Sequence, residues 1–341
     1  MKKFAVLFFG MPRFYEQNMY SIKSHFKLNS FEVDYFCHLW DKLGYIPEDD
    51  VDENLVKVKV PYLHYRLIKH LNIKDINVDS YSNLEKLCCS YPQIFHQRDN
   101  FKDTGYYSSR VNSNNPRQWL YTLGQQYSSQ EVSKLAIKSK EEYNFYILTR
   151  TDLFFKPYSE DVELFYRCIE RFFRKNTNTP TLMVYSINGI DRSTFNICLN
   201  KKDISNPSTY EQYIKFNDWF IVCNKLGLEK IFKNRISNFN FLLSKHAIES
   251  LSYDITSREY ENFKQTFSPQ FFLGEACKLL NINLVELGNH TKGDIPCVKI
   301  VSKDINKQKL SDRNSSKRIF NDTYVNMLEQ YNKLAELNLI P

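Results

Sequence analysis

Tyr143-Asn144-Phe145-Tyr146-Ile147-Leu148-Thr149-Arg150-Thr151-Asp152-Leu153-Phe154-Phe155 is an apolar run with an arginine and an aspartate two residues apart. A run of this length rich in Phe, Tyr, Ile, Leu and Thr reads as one buried strand. A strand does not usually bury two charges. The Arg-x-Asp stands near its carboxyl end, where an open α/β sheet presents residues to ligands. The planar fork of Arg150 can pair with phosphate oxygens, and Asp152 offers hard oxygen ligands of the kind Mg2+ or Mn2+ takes. The two side chains could equally pair with each other, and the sequence leaves both readings open.

The stretches on either side give this strand its neighbours. Upstream, Ser128 with Glu131 reads as a capping box opening a helix whose face carries Val132, Leu135, Ala136 and Tyr143. Earlier still, Lys3 to Phe9 is a fully buried strand, Gly10-Met11-Pro12-Arg13 a tight turn, and a helix follows through about Lys27. Phe31 to Trp40 is a second apolar strand ended by Asp41, so consecutive strands stop at polar residues on what would be one edge of a parallel sheet. Downstream come a helix (Val162 to Phe173), a strand (Thr181 to Ser186), and Asn217-Asp218 leading the apolar strand that ends at Cys223. A short helix from Asn224 to Phe232, a helix from Pro269 to about Leu280, and an alternating strand from Ile282 to Leu287 complete the pattern, with His290 just past it.

This alternation predicts a Rossmann-like α/β fold, a mixed but mostly parallel sheet flanked by helices. The stretch 42–117 is read as an insertion or lid: Val56 to Val60 alternates like a half-exposed third strand, and 77–115 is rich in Ser, Asn, Tyr and Asp without a period. One domain over 1–298 is expected, followed by a 299–341 tail of a basic segment and an amphipathic helix from Asp322 to Leu337.

Composition narrows the class. With 26 Phe and 23 Tyr in 341 residues the chain has ample core material, and nine glycines argue against Gly-rich phosphate loops. Eight cysteines without a C-x-x-C pair are neither a zinc framework nor a disulfide scaffold, which fits a reducing compartment. The net charge of +7 is mild. The basic segment 299–318 lacks aromatic stacking platforms, so no nucleic acid is expected; contact with acidic lipid is its second reading. No run approaches the ~18 apolar residues of a membrane span, and the apolar amino terminus lacks a signal-peptide cleavage site. A cytoplasmic protein is expected, peripheral to the membrane if the basic segment touches it.

Taken in order, Phe9-Gly10-Met11-Pro12-Arg13, His38-Leu39-Trp40-Asp41, Gln126-Tyr127-Ser128, Arg150-Thr151-Asp152-Leu153, Asn217-Asp218-Trp219-Phe220 and the helix start at Pro269 resemble a group of GT-A-fold glycosyltransferases of polysaccharide, lipopolysaccharide and large-virus gene sets. The resemblance covers about residues 3 to 290 and implies that Arg150-Thr151-Asp152 takes the part of the Asp-x-Asp motif, which binds metal and sugar nucleotide. It departs from that pattern in three places: Arg150 replaces the first aspartate, Leu148 stands where an arginine often precedes the motif, and Gln270 follows Pro269 where an acid is expected.

What the resemblance implies is a hexosyltransferase that moves a sugar from a UDP-, GDP- or CDP-linked donor to a glycan or lipid-linked acceptor, with Mn2+ or Mg2+ held by Asp152 and by His290 as a late metal ligand. In such a site Gly10 and Arg13 would meet the nucleotide at the first turn, Asp41 its ribose or base, and Gln126 the nucleotide from the helix start. Asp218 is the candidate base that deprotonates the acceptor hydroxyl. Each has a plainer reading: Arg13 caps a loop, Asn217-Asp218 caps a turn, Gln126 is a solvated helix end and His290 is structural. A sugar-phosphate or nucleotidyl transferase and a non-catalytic glycan- or nucleotide-binding module are the alternatives.

Overall fold

The computed structural model describes residues 2–12, 15–42, 67, 71–89, 117–186, 197–198, 218–239, 241, 273–274, 276–277, 279–289 and 297–299. Strand β1 (Lys2–Gly10) leads into helix α1 (Tyr15–His25), followed by β2 (Phe31–Trp40), β3 (Ile73–Asp79), α2 (Tyr81–Cys89) and α3 (Arg117–Lys138). Next come β4 (Tyr146–Thr149), β5 (Leu153–Phe155), α4 (Glu160–Lys175), β6 (Thr181–Ser186), β7 (Ile197–Cys198) and β8 (Phe220–Cys223). A one-turn helix α5 (Lys225–Gly227) runs on as a π-turn over Leu228–Phe232, and β9 (Asn283–Asn289) and β10 (Cys297–Lys299) close the described chain.

Among the described residues eight strands form one sheet in the order β3-β2-β1-β4-β8-β6-β9-β7. All neighbours run parallel except β8, which is antiparallel to both β4 and β6. The fold is therefore α/β with a mixed, mostly parallel sheet. The reversal has a consequence for chemistry, because it brings the start of β8 to the edge where β1, β2 and β4 end.

β1 shows why the sheet is covered on both sides. Its side chains alternate between faces: Phe4, Val6 and Phe8 pack with Met19, Ile22, Tyr166, Ile169 and Phe173 of α1 and α4. Ala5, Leu7 and Phe9 pack with Val132 and Ala136 of α3 and with Leu228, Ile231 and Phe232. A strand buried on both faces must be apolar throughout, which is what Phe4 to Phe9 supplies. Phe4 stacks on Phe145 at 4.6 Å and on Tyr166 at 5.3 Å between ring centroids. α4 is fixed by its ends: Ser159 Oγ accepts the Val162 N–H, acids fill the first turn, and Arg174 and Lys175 the last.

Three sequence expectations change. The run 143–155 is not one strand: β4 ends at Thr149, Arg150-Thr151-Asp152 is a turn, and β5 leaves the main sheet to pair antiparallel with β10. Ser128 opens no helix, since α3 begins eleven residues earlier at Arg117; its hydroxyl bonds to β1 and β2 instead of capping a helix start. Within 42–117, β3 pairs parallel with β2 and α2 packs on α3, so 73–89 belong to the sheet and its flank. The expected strand Val56 to Val60, the start of the Pro269 helix and the tail beyond Lys299 lie outside the described residues.

Candidate active site at the carboxyl edge

The site begins at Gly10, the last residue of β1, whose φ of 102° an L side chain rarely adopts. Its N–H donates to Ser128 Oγ at 2.7 Å, and that hydroxyl donates to the His38 carbonyl at 2.7 Å. His38 Nδ1 lies 2.9 Å from the same Oγ, and its Nε2 lies 3.1 Å from Asp79 Oδ2. The bond to His38 is the largest of the effects that hold the Asp79 carboxyl below the usual carboxylate range. Ser128, His38 and Asp79 form a serine–histidine–aspartate chain, yet it is not a nucleophilic triad. Ser128 and His38 are wholly buried and tie β1, β2, β3 and α3 together under the Gly10 turn.

The Arg150-Thr151-Asp152 turn is pinned to the same place. Thr151 Oγ1 donates to the Met11 carbonyl at 3.2 Å, and Asn18 Nδ2 donates to the Thr151 carbonyl at 2.9 Å. Arg150 holds Asp152 with both arms of its fork: Nε donates to Oδ1 at 2.8 Å and Nη2 to Oδ2. Burial would lower the Arg150 pKa, but Asp152, and Asp218 beyond it, outweigh burial and hold it above the ordinary arginine value. One level along, Thr149 Oγ1 donates to the Trp219 carbonyl at 2.9 Å, which seats Asp218 beside the end of β4. Gln125 Nε2 of α3 donates to Asp218 Oδ2.

Of the residues singled out from sequence, Gly10, Arg150, Asp152 and Asp218 thus meet at one sheet edge. Asp41 stands at the end of β2, where its Oδ1 accepts the Tyr81 N–H and so begins α2. Gln126 is not a solvated helix end: it sits within α3, 1% exposed, and neither its Oε1 nor its Nε2 has a hydrogen-bond partner. Arg13 and His290 lie outside the described residues. Sequence reasoning missed Gln125, which orients Asp218, and Arg235, which is 4% exposed and lies in the electrostatic reach of Asp218. The Gln125-Gln126 pair inside an apolar-faced helix was the available signal for the first; nothing in the sequence marks the second.

The donor set bears on a metal ion. Both oxygens of Asp152 accept from Arg150, and among the described residues no three His, Cys, Asp or Glu side chains gather to hold a cation. Each carboxylate oxygen keeps a second lone pair, so Arg150 engages Asp152 without closing it to a cation, and His290, the other expected ligand, lies outside the described residues.

No protein-family model and no curated protein matches this sequence. Among solved structures, the chain is similar to the apo crystal structure of mouse xyloside xylosyltransferase 1, at 14% identity and a TM-score of 0.41 over 83% of this chain and 84% of that one.

Proposed function

We propose that this chain is a glycosyltransferase that moves a sugar from a nucleoside-diphosphate donor to a hydroxyl of a glycan or lipid-linked acceptor in polysaccharide assembly. The observation that carries this reading is the meeting of the Arg150–Asp152 pair with Asp218 at the carboxyl edge beneath the Gly10 turn. Breaking the sugar–phosphate bond builds negative charge on the leaving diphosphate, and a group fixed in advance at that point lowers the barrier. Arg150 spends two of its five N–H donors on Asp152 and keeps the others for phosphate oxygens. Asp152 fixes the plane of the guanidinium. Asp218, oriented by Gln125, takes the proton from the attacking hydroxyl.

Gly10 gives the nucleotide close access to backbone at the first turn, and Asp41 at the end of β2 takes its ribose or base. The acceptor, if lipid-linked, is met with the help of the basic segment 299–318. No described helix is long and apolar enough to cross a membrane. The mutual pairing of Arg150 and Asp152 favours one competitor, a non-catalytic nucleotide- or glycan-binding module.

Titration calorimetry with UDP, GDP and CDP, with and without Mn2+, tests the reading. One nucleotide is expected to bind, and the comparison with and without Mn2+ shows whether the metal contributes; no binding by any of them would sink the transferase. Asp218→Asn is expected to leave that affinity intact and to cut sugar-nucleotide turnover by about 10²- to 10⁴-fold. Binding without turnover in the wild type selects the module. Unchanged turnover in Asp152→Ala would remove the central assignment.

A further inference from the structure

Gln126 and Arg235 are two buried polar side chains that each keep hydrogen-bonding atoms left over by the fold. Neither amide atom of Gln126 finds a partner, and nor does Nε of Arg235. Buried groups of this kind are ordinarily satisfied, and each one left unpaired forfeits the bonds it had in water. A buried arginine is more demanding still, because its charge as well as its donors must be met. Among the described residues no carboxylate lies within ion-pair distance of Arg235. Burial pushes its pKa down to about 10, and Cys277 and Asp218 offset that only in part.

The two side chains stand on elements that pack against each other. Gln130 Oε1 of α3 accepts the Ile236 N–H at 3.1 Å, which locks this flank of α3 to the segment 235–239. Gln126 precedes Gln130 by four residues and so lies one turn away on the same flank. Arg235 is the residue next to Ile236, and its guanidinium lies 5.5 Å over the Phe232 ring, which packs in the same core as Val132 and Ala136. Gln125, adjacent to Gln126, holds Asp218, whose charge Arg235 feels. Asp218 does not itself explain Arg235: its Oδ2 is held by Gln125, and its charge is shared with Arg150.

We infer that Gln126 and Arg235 form a buried subsite for an oxyanion of the substrate, a carboxylate or a phosphate, beside Asp218. The guanidinium fork supplies paired N–H donors and the charge. The Gln126 amide adds a donor for the anion and, at Oε1, an acceptor for a neighbouring hydroxyl. An acidic sugar or a phosphate ester presents that combination. The subsite deepens the reading proposed above and depends on it only for the source of the anion, which is either the donor's diphosphate or an acidic acceptor.

Thermal unfolding of the full chain, titrated with inorganic phosphate or acetate against chloride at constant ionic strength, reads the subsite directly. The wild type is expected to gain stability saturably with at least one of the two anions. Arg235→Met and Gln126→Leu each remove unpartnered polar atoms, and each is expected to weaken that response about tenfold or more, the worth of a hydrogen bond to a charged group. Should Arg235→Met fail to fold, Gln126→Leu carries the test. No response in the wild type, or an undiminished response in the folded variants, overturns the subsite.

Calorimetry then assigns the source. Weakened binding of nucleoside diphosphates with unchanged nucleoside binding in the variants identifies the donor, whereas unchanged nucleotides with weakened glucuronate identify an acidic acceptor. A wild type that responds to phosphate but binds no nucleotide keeps the subsite and removes the transferase.

Discussion

The two edges of the sheet treat charge in opposite ways. At the amino-terminal edge Lys3 Nζ lies 3.1 Å from Asp34, 3.3 Å from Glu141 and 3.4 Å from Glu32, while Lys74 lies 3.0 Å from Glu141. Tyr143 donates to Asp34 at 2.6 Å, and the Lys3 N–H to Asn144 Oδ1 at 2.9 Å. Burial would lower the Lys3 pKa, but bonds to Asp34 and Glu141 outweigh it and raise it above the ordinary lysine value. At the carboxyl edge, ~23 Å away along β1, Gln126 and Arg235 keep buried atoms without partners, and Arg150, bonded to Asp152, also feels the charge of Asp218. Around Lys3 the charged and polar groups answer one another within the chain, as a frame requires. The atoms left over at the carboxyl edge are the ones the inferred subsite would use.

The sharpest way to break this contrast is to unpair the carboxyl edge. Asp152→Asn leaves the Arg150 charge in a largely buried place and is expected to destabilise by about 3–5 kcal/mol in denaturant unfolding. The double variant Arg150→Met/Asp152→Leu is expected to recover most of that loss. A double variant no better than the single would show that the pair is not coupled.

A comparable effect is expected from His25, which lies between the two edges. Its Nδ1 sits 2.6 Å from the Lys156 carbonyl, which can only accept, so Nδ1 carries the proton and Nε2 accepts from the Tyr166 hydroxyl at 2.7 Å. Burial, helped by the Lys156 charge and opposed by the Lys156 carbonyl, lowers the ring's pKa from 6.5 to about 4. Below pH 6.5 the unfolded chain takes up a proton that the folded chain refuses until about pH 4, so stability falls on acidification through that window. The loss is about 3 kcal/mol, and His25→Gln is expected to flatten the acid side of the stability–pH curve.

The smallest effect belongs to the amino-terminal edge. Lys3→Met is expected to cost about 1 kcal/mol, falling at high salt, because Glu32 and Glu141 are solvent-exposed partners and Asp34 keeps the Tyr143 hydroxyl. A larger, salt-insensitive loss would mean that charge at this edge is held as tightly as at the other.

How legible all this was in the sequence followed from how each residue is covered. β1 and β6 could be read closely because burial on both faces leaves almost no polar interruption, and β2 because its aromatic and aliphatic residues outnumber Glu32, Asp34 and His38. β3 could not: as the edge strand it exposes Lys74, Asp75 and Asn77, and its pairing with β2 shifts register between Tyr35 and Phe36, which breaks the alternation. The break at Arg150-Thr151-Asp152 was invisible for the opposite reason, since Leu148 and Leu153 are equally buried on either side of it.

Ser128 misled because a serine three residues before a glutamate has the local signature of a cap, while its partners, Gly10 and His38, are distant in sequence. Asp218 and Asp152 were found as acids beside apolar strands. Arg235 was missed because an arginine in a polar helix ordinarily reads as solvated.

Gly10 restricts the first turn by handedness and not by volume. Nothing lies within 4 Å of where a β-carbon would project, yet φ of 102° strains any L side chain placed there. Room for an L methyl group is there, and the backbone torsion that would carry it comfortably is not. The first turn is thus guarded by backbone stereochemistry alone, at a spot that has room for a side chain but no easy way to attach one.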